Sequence, residues 1–397
     1  MSKEVVIVGA GQAGLTAAVA LRDSGWEGPI RLIGAEDRLP YQRPPLSKGY
    51  LAGSETASDL LLRSAEALER DRIDIHLGVE VASVDRRNRT VNLSTGECLN
   101  YDTLILATGS NLRTLRVPGN DLDGVHLLRT VQDSDALRDD FADSGATVFI
   151  GGGFLNLEVA AEAVKHGPVT VLEVAPQILG RVLSPETAAA LAEYHQGEGI
   201  TIRCGIEVAE LRGSNGRVTG VTLADGEVIP ADRVVVSVGT VANDSIARRC
   251  RLATDGGIVV DSHLRTNDPH IFAIGDCAQH PNAFAQAEMR VESVQNATDQ
   301  ARHIARQIAH KHDNDYVMVP WFWSTQGTRR LQIAGIARPD DGVRIVEKGE
   351  RGKLVVERLR QGHISAVETI NAPGVHMKAR RALAEFLEPQ SSLEMPS

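Results

Sequence analysis

Short apolar, β-branched runs alternate with glycine turns along this chain. VVIV at 5–8 leads into GAGQAG and LTAAVAL, and IRLI follows at 30–33. This reads as strand, glycine turn, helix and second strand, with the strands buried in a parallel sheet. The plan recurs from about Ala146 with TVFI, GGG, FLNLEVAAEAV and VTVLE, then a helix over 185–198. Between these units, 64–71 read as helix, and short strands are expected around IDIHLG, VEVASVD and TVNLS. Thr95–Gly96 and Ser214–Asn215–Gly216 are hairpin signals, and RVVVSVGT mirrors TLILATGS. DPHIFAIGDCA returns as a strand, followed by a helix over about 292–310. From VPWFWSTQ onward, alternating strands end in a helix, HMKARRALAEFL. Pro40, Pro44 and Pro45 exclude helix interior and central strand from the loop DRLPYQRPPLSKGYL. The final PQSSLEMPS is expected to fray.

Each glycine in such a turn has its own task. The first permits the tight turn, the second lets backbone approach a pyrophosphate, and the third lets helix pack close to strand. Gly9, Gly11 and Gly14 fill all three places in the first unit. Gly151 and Gly153 fill two in the second, where Asn156 stands in the third. Asn156 calls for wider helix–strand packing or a shifted helix start. The helix N-terminus presents free N–H groups and partial positive charge to phosphates. The strands that follow end in Glu36 and Glu173, acidic groups suited to a ribose diol. Two such units predict a protein that holds a flavin and a nicotinamide together, and therefore transfers electrons.

Composition narrows the picture. A chain of 397 residues implies two or three domains. Its 42% hydrophobic and 24% charged content fits a globular protein. No apolar run approaches the roughly 20 residues that span a bilayer. The first strand begins by about Val5, which leaves no room for a signal peptide, so a cytoplasmic location without membrane association is expected. A net charge of −10 argues against nucleic-acid binding. Cys98, Cys204, Cys250 and Cys277 are scattered without metal or CxxC spacing, and the twelve histidines form no ligand pair, so no metal site is expected.

The segments VVIVGAGQAG, LPYQRPPLSK, LILATGS, HLLRT, GGGF with LEVAAEAV, FAIGDCA, RVESVQNA and PWFWS follow in this order almost end to end. In that combination the chain resembles the FAD-dependent NADH–ferredoxin reductases of bacterial oxygenase systems, the group of putidaredoxin reductase and biphenyl dioxygenase reductase. The resemblance implies an α/β fold with two Rossmann-like dinucleotide-binding domains in a glutathione-reductase-like arrangement, plus a C-terminal α+β cap. It implies an FAD-binding domain at 1–111 and 240–316, an NADH-binding domain at 112–239 and a C-terminal domain at 317–397. It further implies electron flow from NADH through FAD to a 2Fe–2S ferredoxin serving a cytochrome P-450 or Rieske-type oxygenase. An NADH oxidase and a redox-sensing flavoprotein resembling apoptosis-inducing factor remain as alternatives.

The site residues follow from the same resemblance. Disulfide reductases carry a redox cysteine pair where this chain has Pro44, Pro45 and Lys48, so electrons should leave the flavin singly instead. Lys48, Glu158 and Trp323 are expected around the reacting rings, with an ion pair between Lys48 and Glu158. FAD contacts are expected from Gly9, Gly11, Ala13, Gly14, Glu36, Arg43, Val81, Ala107, Thr108, Gly109, Arg129, Gly275, Asp276 and Val294. Ala35 occupies the family's usual aspartate position, which moves ribose binding to Glu36. Nicotinamide-side contacts are expected from Gly151, Gly153, Phe154, Leu155, Glu158, Glu173, Arg181 and Gly239. Glu173 should repel a 2′-phosphate and favour NADH. Arg290, Arg302, Arg306, Lys311, Arg329 and Arg330 are candidates for a basic patch that meets an acidic ferredoxin.

Overall fold

A computed structural model describes residues 3–385. The expected end of HMKARRALAEFL and the PQSSLEMPS tail lie outside those residues. The chain forms two compact units.

Among the described residues, the first unit comprises the stretch up to Gln42, Leu60–Asn111 and Val241–Phe322. Its centre is a five-stranded parallel sheet in the order Ile271–Ala273, Thr103–Leu106, Val5–Val8, Ile30–Ile33 and Asp74–His76. Val5, Val6 and Ile7 are fully buried, as the unbroken apolar run requires. Burying each such side chain contributes roughly 1.5–3 kcal/mol. The helix Gln12–Asp23 packs against the helix Val294–His310. Expected elements appear as the helix Ala65–Arg70, capped by Ser64, and the antiparallel strands Val81–Asp85, Thr90–Leu93 and Cys98–Asn100. The short strands Ala278–Asn282 and Ala287–Met289 had no clear signal in the sequence.

Among the described residues, the second unit comprises Arg43–Asp59, Leu112–Thr240 and the stretch from Trp323 onward. It repeats the parallel plan in the order Ile200–Cys204, Val169–Glu173, Thr147–Ile150, Arg233–Val236 and Val125–His126. The predicted hairpin joins Val208–Ser214 to Arg217–Leu223, with Asn215 and Gly216 both at positive φ, as a two-residue hairpin turn needs. The helix expected over 185–198 spans Pro185–Gly197, with Ser184 as N-cap. A five-stranded sheet follows in the order Trp321–Gln326, Arg329–Gly335, His363–Ile370, Leu354–Arg360 and Gly342–Lys348. The terminal helix begins at Pro373, three residues before the expected His376. Proline suits a first helical turn, because its missing N–H has no intrahelical partner there. The fold is thus α/β with two parallel sheets and a C-terminal strand-and-helix region, as expected.

Candidate dinucleotide sites

In the first unit the strand Val5–Val8 ends at Gly9, whose φ of +108° excludes most side chains. A Cβ on Gly9 would stand 2.2 Å from Ala107 O, so the small-residue turn Ala107–Thr108–Gly109 closes directly on the glycine turn. A Cβ on Gly14 would stand 1.9 Å from Gly9 O, which makes glycine the residue that fits. Above Gly11 the Cβ direction meets nothing within 4 Å. Gly11 is also the N-cap of Gln12–Asp23, and no side chain caps it. An open space beside uncapped N–H groups fits a pyrophosphate.

Further expected residues gather in the same unit. Glu36 follows the strand Ile30–Ile33, and Tyr41 Oη donates to its Oε2 at 2.5 Å. Thr108 Oγ1 donates to Asn243 O, and Asn243 N donates back to Gly109 O, so the turn is tied on both sides. Gly275 has φ +74°, and its N–H donates to Gln300 Oε1 at 2.7 Å. Ser110 Oγ donates to Asp276 Oδ2 at 3.2 Å, and Arg290 Nη1 donates to Asp276 O at 2.7 Å. Arg290 also pairs with Glu292, whereas Arg302 and Arg306 are exposed on the helix Val294–His310. Val294 is its first residue, behind the N-cap Ser293, and Val81 opens its strand. Ala13 is buried in the first helical turn. Burial pushes the Cys277 thiol up, and its single S–H points between Ile274 O at 3.3 Å and Leu106 O at 3.5 Å, a structural role. Burial lowers His280 to about 4, so this imidazole is neutral at pH 7.

The second unit repeats the cradle with one change. Gly151 has φ +103°, and a Cβ there would stand 2.2 Å from Ser237 O. Above Gly153, the uncapped N-cap of Phe154–Ala163, there is again open space. The helix therefore starts where its counterpart does, so of the two alternatives for Asn156 the shifted start does not occur. Asn156 is fully buried, and its Nδ2 donates to Ile150 O at 2.9 Å and Gly151 O at 2.8 Å. Phe154 and Leu155 form the first turn, partly buried. Glu173 accepts from Gly152 N at 2.6 Å and Ala175 N at 2.8 Å, which holds its carboxylate at the turn. Burial, with the negative charge of Glu173, raises the Cys204 thiol. Arg181 is exposed, and its Nη2 stands 3.7 Å from where a Gly239 Cβ would be.

Lys48 and Glu158 meet in this unit. Lys48 Nζ lies 2.5 Å from Glu158 Oε2, the expected ion pair, and donates to Pro44 O at 3.1 Å. Lys48 follows the 3₁₀ turn Pro44–Ser47, which begins on the two prolines. Two partners of Glu158 were not foreseen: Ser47 Oγ donates to Oε2 at 2.6 Å and Ser324 Oγ to Oε1 at 2.7 Å. Small hydroxyls in a strand or turn carry no such signal in one sequence. Arg43 donates to Arg129 O, which brings those two expected residues together. Trp323 is partly buried next to Ser324 in the strand Trp321–Gln326. No group of three or more metal-ligating side chains occurs among the described residues.

Residues 3–301 match the family described as pyridine nucleotide-disulphide oxidoreductase, and residues 321–393 match a reductase C-terminal family. The chain is 42% identical over 381 residues to rhodocoxin reductase of Rhodococcus erythropolis, covering 96% of this chain and 89% of that protein. It is 40% identical over 381 residues to a ferredoxin–NAD(P)+ reductase of a Sphingomonas species, covering 95% and 92%. The solved covalent complex of putidaredoxin reductase with putidaredoxin superposes with a TM-score of 0.92 at 37% identity, covering 96% of this chain and 93% of that one.

Proposed function

This chain belongs to the pyridine nucleotide-disulphide oxidoreductase family, and from that premise we propose that it is a FAD-dependent ferredoxin reductase of an oxygenase system. It takes electrons from NAD(P)H and passes them to a ferredoxin that feeds a cytochrome P-450 or Rieske-type oxygenase. The observation that carries this reading is the pair of cradles, with open space over Gly11 and Gly153 at uncapped helix N-termini. The loop around Lys48 contains no cysteine, and the four described cysteines are all unpaired, so the redox dithiol of disulfide reductases is missing there. When bound, the flavin supplies the step from a two-electron donor to a one-electron acceptor.

The chain's contribution to this chemistry is positioning. Hydride transfer depends on proximity and alignment more than on an acid or base. Gly9, Gly11, Gly14, Glu36, Gly275 and Asp276 hold FAD in this proposal, and Gly151, Gly153 and Glu173 hold the nicotinamide dinucleotide. Lys48, Glu158 and Trp323 line the reacting groups, and the other residues expected from the sequence keep their assignments as part of the proposal. NADH is the preferred donor, because Glu173 presents a carboxylate where a 2′-phosphate would bring a second negative charge. No described helix is long and apolar enough to cross a membrane, and the cytoplasm is the proposed location.

The experiment measures cytochrome c reduction by NADH with and without an added 2Fe–2S ferredoxin. Strong ferredoxin dependence is expected, whereas equal rates without ferredoxin would favour an NADH oxidase or a redox sensor. Exposed Arg302 and Arg306 share one helical face and are proposed to meet the acidic partner. Changing both to Glu should raise the KM for ferredoxin while NADH-to-ferricyanide turnover stays near wild type.

A further inference from the structure

Glu158 is the end of a longer polar chain within the second unit. Ser324 and Gln326 are two apart on the strand Trp321–Gln326, so their side chains share one face. Both are fully buried, as is His195 on the helix Pro185–Gly197. Gln326 Nε2 lies 3.2 Å from Ser324 Oγ, and His195 Nε2 lies 2.8 Å from Gln326 Oε1.

The direction of every bond in this chain follows from the carboxylate. A carboxylate only accepts, so the single hydroxyl proton of Ser324 goes to Glu158 Oε1. Ser324 Oγ is then an acceptor for its other neighbour, and Gln326 must turn its NH2 group towards it. That leaves the Gln326 carbonyl facing His195, whose Nε2 must carry a proton. His195 Nδ1 has no hydrogen-bond partner among the described residues, which fits a bare ring nitrogen. Burial lowers the pKa of this imidazole, which fits a neutral ring.

We propose that Ser324, Gln326 and His195 form a one-directional buried relay of positioning residues that fixes the Glu158 carboxylate and, through it, Lys48. Oε2 already holds Lys48 and Ser47, so Ser324 is what stops the carboxylate rotating about its own axis. Its effect on catalysis rests on the reading of Glu158 as part of the nicotinamide site, whereas its geometry does not.

Two readouts test it. The first is the tautomer of His195 in 15N-labelled holoenzyme, assigned by the loss of its signal in His195→Asn. The Nε2–H form is expected, and Ser324→Ala should admit the Nδ1–H form by freeing the Gln326 amide to flip. A wild-type ring protonated on Nδ1, or charged at pH 7, overturns the relay. The second is stopped-flow reduction of the flavin by NADH. Ser324→Ala should slow it about tenfold, and the same change in a Glu158→Gln background should add nothing. An undiminished additional loss in that background would mean that Ser324 does not act through Glu158. If Ser324→Ala does not fold, Gln326→Met removes the next donor at similar volume and should slow reduction in the same non-additive way. Failure of the wild-type holoenzyme to oxidise NADH would overturn the proposed function, while the tautomer measurement would still decide the relay.

Discussion

At the third position of the glycine turn the two units differ. In the first, a Cβ on Gly14 would stand 1.9 Å from Gly9 O, and only hydrogen fits. In the second, Asn156 occupies the place, fully buried, and its amide donates to Ile150 O and Gly151 O. Both helices nevertheless start directly after the second glycine, at Gln12 and Phe154. The third glycine is therefore one solution to a close approach. A side chain that hydrogen-bonds the turn's own carbonyls is another, and it replaces contact with a bond. Each acidic residue is held as well, Glu36 by a hydrogen bond from Tyr41 Oη and Glu173 by bonds from the Gly152 and Ala175 N–H groups.

Exchanging the two solutions gives the largest expected effect. Gly14→Asn should destabilise the protein by more than about 3 kcal/mol, because the clash is with backbone that cannot yield. The variant should be purified with little or no FAD, as absorbance of the isolated protein would show. A yellow variant of normal Tm would mean that the first turn can open as the second does.

The reverse exchange, Asn156→Gly, completes the glycine fingerprint but should cost about 2 kcal/mol, from one buried and one partly buried carbonyl that each lose a donor and from glycine in a helix. Thermal unfolding measures it, and a rise in Tm would break the comparison. The donor preference comes next. The wild-type ratio of kcat/KM for NADH over NADPH should be at least about tenfold, and Glu173→Gln should narrow it by removing like-charge repulsion. An unchanged ratio would take Glu173 out of the ribose site. The smallest effect is expected from Tyr41→Phe, which removes one neutral donor from Glu36 and should weaken FAD binding by about 1 kcal/mol. FAD titration of the apoprotein reads it, and unchanged affinity would show that Glu36 needs no such support.

Much of the fold was legible because the signals are local. Four-residue apolar runs such as VVIV and TVFI leave little choice but a buried strand, and the adjoining glycines mark turns that need positive φ or open space. The ion pair of Lys48 with Glu158 was expected through resemblance to a family. Ser47 and Ser324 were not, since a serine in an ordinary turn or strand carries no periodicity and no charge.

Gly9 and Gly151 specify their turns through positive φ, and Gly11 and Gly153 through the open space their missing side chains leave, so neighbours within a few residues are enough to read them. The carboxylate of Glu158 depends on groups at residues 47, 48 and 324, which reach it from two distant stretches of chain. The fate of Asn156 likewise turned on which carbonyls lay within reach once strand and helix had packed. Hydrogen bonds need partners within about 3 Å and in the right direction, and the order of residues along a chain states neither, so those arrangements became visible only after folding.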